Sequence, residues 1–260
     1  MNAVQPKKSL GQHFLVDRNV LGVIERLAEL DADDVVLEVG PGLGVLTTFL
    51  ADRVRHVHAV ELDRSLGRPL REAIGVRTNV SLVFGDALDL DLGDLTPPPG
   101  KLVANLPYNI ATPLVAETLT GTNVLTTWCV MVQREVADRF FAEPASKAYG
   151  AVSVIVRLHA RRTGFHPIAR TVFRPPPNVD SALVAFTRVP PPPRADRVRR
   201  VVTAAFGHRR KTLANALALA GIASREEAAA ALAEIGRPAN VRAEALEPAE
   251  FVALTDALPL

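Results

Sequence analysis

The 260-residue chain is predicted to be an α/β protein: a mostly parallel sheet covered by helices on both faces, followed by a small all-helical domain. Three observations predict it. Short apolar runs that read as buried strands alternate with stretches of helical period. Glycine, acidic and Asn-containing turns follow those runs at strand ends. Beyond a run of four prolines, 190–193, the apolar period is helical throughout.

In chain order, Asp17 can cap a first helix whose apolar positions Val20, Leu21, Ile24, Leu27 and Ala28 share one face. Residues 35–39 read as a buried strand, followed by a glycine-rich turn and a helix over about 45–53. A second strand covers 56–61, with a helix near 65–74, and a third covers 80–84. A Pro-Pro-Pro-Gly loop leads to the fourth strand, 101–104, with a helix from Thr112. The fifth covers 124–132, with a helix from about Arg134, and 152–159 and 182–187 read as two late strands. The tetraproline sets a boundary between domains 1–189 and 190–260, the second with helical periods at 198–206, 213–220, 228–232 and 251–254.

Composition narrows the function. Hydrophobic residues make up 48% of the chain, enough for a sizeable core, and a net charge of +2 names no partner. The one cysteine, Cys129, excludes an internal disulfide and a cysteine zinc cluster, and it reads as a small buried hydrophobe. Lys7 and Lys8 are followed by no apolar core, so the N-terminus is not read as a secretory signal. No apolar stretch approaches membrane-spanning length, so a soluble, cytoplasmic protein is expected.

Asn105-Leu106-Pro107-Tyr108 ends the fourth strand. The Asn side-chain oxygen and the Leu106 carbonyl can each accept one hydrogen of an amine on an aromatic ring. Pro107 stiffens the turn and the Tyr108 ring can lie on a heterocycle. Adenine N6 needs such help, because its lone pair is delocalised into the purine. Two acceptors act most strongly as positive charge develops on that nitrogen. Taken alone, the tetrapeptide also reads as an ordinary turn with a packing tyrosine.

The turn Glu38-Val39-Gly40-Pro41-Gly42-Leu43-Gly44 lets a ligand approach the backbone closely. Val45 stands where a dinucleotide fingerprint wants Gly or Ala, and no Gly-Lys-Ser/Thr ending follows. A nucleoside-like ligand without pyrophosphate fits such a turn. Glu61 can accept both ribose hydroxyls, and Asp86 can accept from an exocyclic amine. Singly, Asp86 also reads as a helix cap and Glu61 as a solvated strand end. The ordered series of glycine turn, acid, acid and Asn-Leu-Pro-Tyr points to S-adenosylmethionine plus an amine acceptor.

Longer motifs carry a resemblance. They are Ser9-Leu10-Gly11-Gln12-His13-Phe14-Leu15, Asn105-Leu106-Pro107-Tyr108-Asn109-Ile110 and Gln133-Arg134-Glu135-Val136. Further on come Ser146-Lys147-Ala148-Tyr149-Gly150, 173–181 from Phe173 to Ser181, and Arg209-Arg210-Lys211-Thr212-Leu213. The chain closely resembles, nearly end to end, the bacterial 16S ribosomal RNA dimethyladenosine transferases. The resemblance implies a Rossmann-like S-adenosylmethionine-dependent methyltransferase sheet. It also implies methylation of N6 of two adjacent adenosines in the 3′-terminal hairpin loop of 16S rRNA, dimethylating both, within the assembling 30S subunit. It makes His13, Leu15, Gly40, Glu61, Asp86 and Asn105 the cofactor-contacting positions, with Gly42 in the same turn. The target base leaves its stack to react. Tyr108 is expected on one of its faces and Phe173 on the other, although Phe173 reads equally as a core aromatic. No metal is expected, and nothing demands a dimer.

Positive charge clusters at 194–211, with Arg194, Arg197, Arg199, Arg200, Arg209, Arg210 and Lys211 against Asp196 alone. Arg157, Arg161, Arg162 and Arg170 form a second group. Such clusters suit RNA phosphates, and Lys7 and Lys8 read as a mobile basic arm. Two rival readings keep the fold: a 23S rRNA methyltransferase, which usually has Ile where this chain has Leu106, and a non-catalytic RNA-binding factor.

Overall fold

The computed structural model describes residues 6–7, 11–121, 123–208 and 210–259. The chain separates into two compact units, Met1–Ala137 with Arg162–Arg188, and Asp138–Arg161 with Val189–Leu260.

In the first unit, β1 (Phe14–Leu15) precedes α1 (Asn19–Ala28), whose N-cap position is Arg18 with no side-chain cap bond; Asp17 Oδ1 accepts the Asn19 N–H at 2.8 Å in the turn that leads into it. Then come β2 (Val35–Val39), α2 (Val45–Ala51), β3 (His56–Glu61), α3 (Gly67–Ile74), β4 (Val80–Phe84) and β5 (Lys101–Asn105). They are followed by α4 (Ala111–Thr120), β6 (Thr127–Gln133) and α5 (Arg134–Phe140). The chain passes through α6 (Ala151–His159) of the second unit and returns as β7 (Ala160–Ile168), β8 (Phe173–Arg174) and β9 (Ser181–Arg188).

Among the described residues the main sheet has seven strands in the order β4-β3-β2-β5-β6-β9-β7. Pairing is parallel from β4 through β6, and β9 runs antiparallel to β6. Period-2 side chains explain the apolar strands. Cys129 and Met131 of β6 join a core cluster with Ile24 of α1 and Leu50 of α2. Trp128, one place before Cys129, points to the other face, donates to Thr118 Oγ1 of α4 at 3.0 Å and stacks on Phe186. Both faces are therefore covered, and a strand buried on both sides cannot alternate apolar with polar. The order reverses direction between β2 and β5, so a crevice opens at the carboxyl ends of those two strands.

In the second unit α6 packs with α7 (Ala195–Gly207), α8 (Leu213–Leu219), α9 (Arg225–Glu234) and α10 (Pro248–Ala257) around Tyr149, Val154, Ile155 and Phe251. Tyr149 donates its hydroxyl to Leu246 O at 2.7 Å.

Two expectations need correction. Residues 152–159, read as a strand from their β-branched content, form the helix α6. Gly150 N donates to Ser153 Oγ at 3.1 Å, which closes its first turn. Val154 and Ile155 are buried in a helical core, and that packing overrides strand propensity. Lys7, read as part of a mobile arm, is instead paired with Asp63 at 2.7 Å, and Lys8 lies outside the described residues. Beyond these, the fifth strand begins at Thr127, and the short β1–β8 pair and β7 carried no pattern that marked them in advance.

Candidate active site

A cleft of ≈ 1110 Å³, counting its open mouth, lies at the carboxyl ends of β2, β3, β4 and β5. Its lining includes residues 11–15 and the turns after each of these strands. His13, Leu15, Gly40, Gly42, Glu61, Asp86 and Asn105–Tyr108 all border it.

The glycine turn is forced twice over. Gly40, Gly42 and Gly44 have φ of 73°, 60° and 81°, which L side chains rarely adopt. A Cβ on Gly42 would also stand 3.0 Å from the Phe14 ring. Gly42 N donates to Glu61 Oε2 at 3.1 Å, and Asp63 N donates to Glu61 Oε1 at 2.8 Å. Each carboxylate oxygen keeps lone pairs for further donors, such as two hydroxyls. Burial raises the Glu61 carboxyl, and these backbone bonds partly offset it. Asp86 Oδ1 accepts the Leu88 N–H at 2.9 Å, so it caps a turn while bordering the cleft. Carboxylates at two strand ends disfavour a phosphate and favour a nucleoside.

Beneath the turn, burial pushes Glu38 up to about 8, with Glu61 adding to the rise. Thr47 is close enough to lower it somewhat, yet neither Glu38 Oε2 nor Thr47 Oγ1 makes a well-formed hydrogen bond.

The end of β5 offers acceptors. Asn105 Nδ2 donates to His13 O at 3.1 Å, which turns Oδ1 the other way. Leu106 is 1% exposed, and its N–H donates to Met131 O at 3.0 Å. Its side chain and N–H are thus occupied, leaving the carbonyl. Among the described residues no donor reaches Asn105 Oδ1 or Leu106 O. Pro107 O accepts from Ile110 N at 3.1 Å and closes the turn. The Tyr108 ring lies 5.5 Å from the His13 ring, and its hydroxyl bonds Ser181 Oγ at 2.6 Å. His13 itself is held by Nδ1 against Pro175 O at 2.8 Å.

Phe173 is not brought to the cleft. It is 3% exposed, pairs with Leu15 through β1–β8, and belongs to the core cluster below. Gln12, Asp63, Ser181 and Glu38 were not singled out from sequence. The Gln inside the 9–15 motif and the acid two places after Glu61 were the available signals.

The basic residues sort by partner. Arg200, Arg210 and Lys211 are exposed, and Arg209 lies outside the described residues. Arg197 donates to Leu258 O at 2.7 Å, and Arg194 pairs with Asp256 at 3.0 Å. Arg157 is held by Glu143 at 2.9 Å and Glu247 at 3.7 Å, so it leaves the second basic group. Cys129 is buried, and burial raises its thiol to about 12.

A family model for ribosomal RNA adenine dimethylase matches residues 3–257. A ribosomal RNA small subunit methyltransferase A from Rubrobacter xylanophilus is 48% identical over 251 residues, covering 96% of this chain and 94% of the relative. Among solved structures, a dimethyladenosine transferase from Plasmodium falciparum superposes with a TM-score of 0.78 at 22% identity, over 93% of this chain and 96% of that one. The 23S rRNA methyltransferase ErmE gives 0.67 at 27% identity, over 95% and 100%.

Proposed function

We propose, for a chain that belongs to the ribosomal RNA adenine dimethylase family, that it methylates N6 of two adjacent adenosines in the 3′-terminal hairpin loop of 16S rRNA and dimethylates both. That membership makes it an S-adenosylmethionine-dependent rRNA adenine dimethyltransferase, and its curated relatives are named for the small subunit. The observation that carries the site reading is the pair of acceptors without donors, Asn105 Oδ1 and Leu106 O, on residues that border the cleft.

Gly40, Gly42, Glu61 and Asp86 would hold S-adenosylmethionine, which supplies a methyl group activated on a sulfonium. Asn105 Oδ1 and Leu106 O accept the two N6 hydrogens of an extruded adenine and stabilise positive charge as it develops there. Tyr108, fixed at its hydroxyl by Ser181, offers a face to the base. The N6 proton becomes acidic only once the methyl is attached, so it can pass to water afterwards and no side-chain base is needed. Positioning and electrostatics carry the acceleration.

The substrate is read as 16S rRNA in the assembling 30S subunit, which would place the protein in the cytoplasm. Exposed Arg200, Arg210 and Lys211 support phosphate contacts in the RNA. The protein is read as a monomer. Among the described residues no helix is long and apolar enough to cross a membrane. The test is to incubate the protein with labelled cofactor and under-methylated small subunits and to map modified nucleosides by mass spectrometry. Label on two adjacent adenosines of 16S RNA is the expected result; label in 23S RNA, or none, would overturn it.

A further inference from the structure

Two neighbouring residues of the N-terminal segment are tied to opposite sides of the glycine turn. Gln12 Nε2 donates to Asp63 Oδ2 at 2.9 Å, just beyond β3. His13 O accepts from Asn105 Nδ2 at 3.1 Å, at the end of β5. β2, which leads into Gly40, lies between those two strands. Residues 11–15 thus bridge the cleft across the turn that borders the cofactor.

Asp63 is the anchor. It is 5% exposed, and its carboxylate collects Ser65 N at 3.0 Å, Ser65 Oγ at 2.6 Å, Lys7 Nζ at 2.7 Å and Gln12 Nε2 at 2.9 Å. The Ser65 bonds are those of a local turn cap. The other two donors come from 56 and 51 positions away, which a cap does not need. Lys7 N donates in turn to Gln12 Oε1 at 2.8 Å, so the two distant donors hold each other. Burial alone would raise the Asp63 carboxyl, but these bonds outweigh it and hold it well below the usual carboxylate range. The anchor is therefore charged across the working pH range.

We propose that Asp63 is a positioning residue: through Gln12 and Lys7 it latches residues 11–15 as a strap across the cofactor cleft, and His13 then orients the Asn105 amide. The inference rests on the cofactor reading above. It links retention of the methyl donor to the acceptor geometry, because one strap carries both the Asp63 tie and the Asn105 tie.

The test uses the full chain with two readouts, calorimetric binding of S-adenosylhomocysteine and the rate of chymotryptic cleavage after Phe14. Asp63→Asn and Gln12→Ala should each weaken binding about tenfold, the scale of one lost hydrogen bond to a charged group. Cleavage after Phe14 should speed up by a similar factor. Gln12→Ala leaves the Ser65 cap and the Glu61 contact intact, so it remains informative where Asp63→Asn unfolds. Lys7→Arg, which keeps the ion pair, should behave as wild type. The KM for cofactor should rise with the KM for RNA unchanged, a split that general loosening would not give. Weaker binding with unchanged cleavage in Gln12→Ala overturns the strap. Faster cleavage with unchanged binding overturns its role toward the cofactor. If wild type fails to bind S-adenosylhomocysteine, the cofactor reading falls, and the cleavage rates decide the latch separately.

Discussion

Pro107 packs so closely on Gly40 that a Cβ at Gly40 would stand 3.1 Å from both Cγ and Cδ of the proline ring. The turn after β2 and the turn after β5 are therefore one interlocked piece. The first borders the cofactor and the second the acceptor, so neither can shift without the other. Interiors are close-packed, and that rigidity supports the near-attack geometry the chemistry needs.

Gly40→Ala should be destabilising for two separable reasons. Its φ of 73° costs about 1 kcal/mol for an L residue, and overpacking against Pro107 adds about 1–3 kcal/mol. Urea unfolding of Gly40→Ala, Pro107→Ala and the double variant should show the second share relieved in the double and the first retained. Strict additivity would mean that the two rings of contact are independent.

Asn105→Ala should lower turnover by about 10²–10³-fold, the scale for removing one preorganised polar group from a developing charge. RNA binding and the folded state should persist. A rate near wild type, measured as methyl incorporation per enzyme, would remove the acceptor role.

Glu38 makes stability depend on pH. Its carboxyl is raised from 4.5 to about 8 chiefly by burial, so the folded chain keeps a proton that the unfolded chain has released. The stability so contributed is whole below 4.5 and is lost as pH climbs toward 8. Glu38→Gln should have little effect on the unfolding midpoint at pH 5 and raise it at pH 8. Parallel pH curves for the two proteins would contradict this account.

The basic residues of the second unit should divide by function. Neutralising Arg200, Arg210 and Lys211 together should flatten the salt dependence of RNA binding, one phosphate contact lowering the slope by about 1. Arg197→Ala should instead lower the melting temperature with the slope unchanged, because its guanidinium bonds Leu258 O. A slope unaffected by the triple substitution would take those side chains off the phosphates.

Much of the first unit was legible because its signals are local. Val35–Val39 is a run of buried residues bounded by turn residues, and the glycines that follow are required where φ is positive. Asn105 through Tyr108 follow a strand, so their place at the cleft could be read from position alone. Residues 152–159 could not be read so: Val and Ile serve a buried helix as well as a strand, and only the neighbours in the helical core decide.

By itself the sequence determined what chemistry stands at each strand end, because period and turn type are properties of short segments; the strand order that brings those ends together came from the packed sheet. Tertiary structure alone decided that Lys7 and Gln12 close on Asp63, that Phe173 lies in the core and that Arg197 serves a carbonyl. Those outcomes join residues tens of positions apart. No local pattern records them, since the partner's place is set only when the whole sheet has packed.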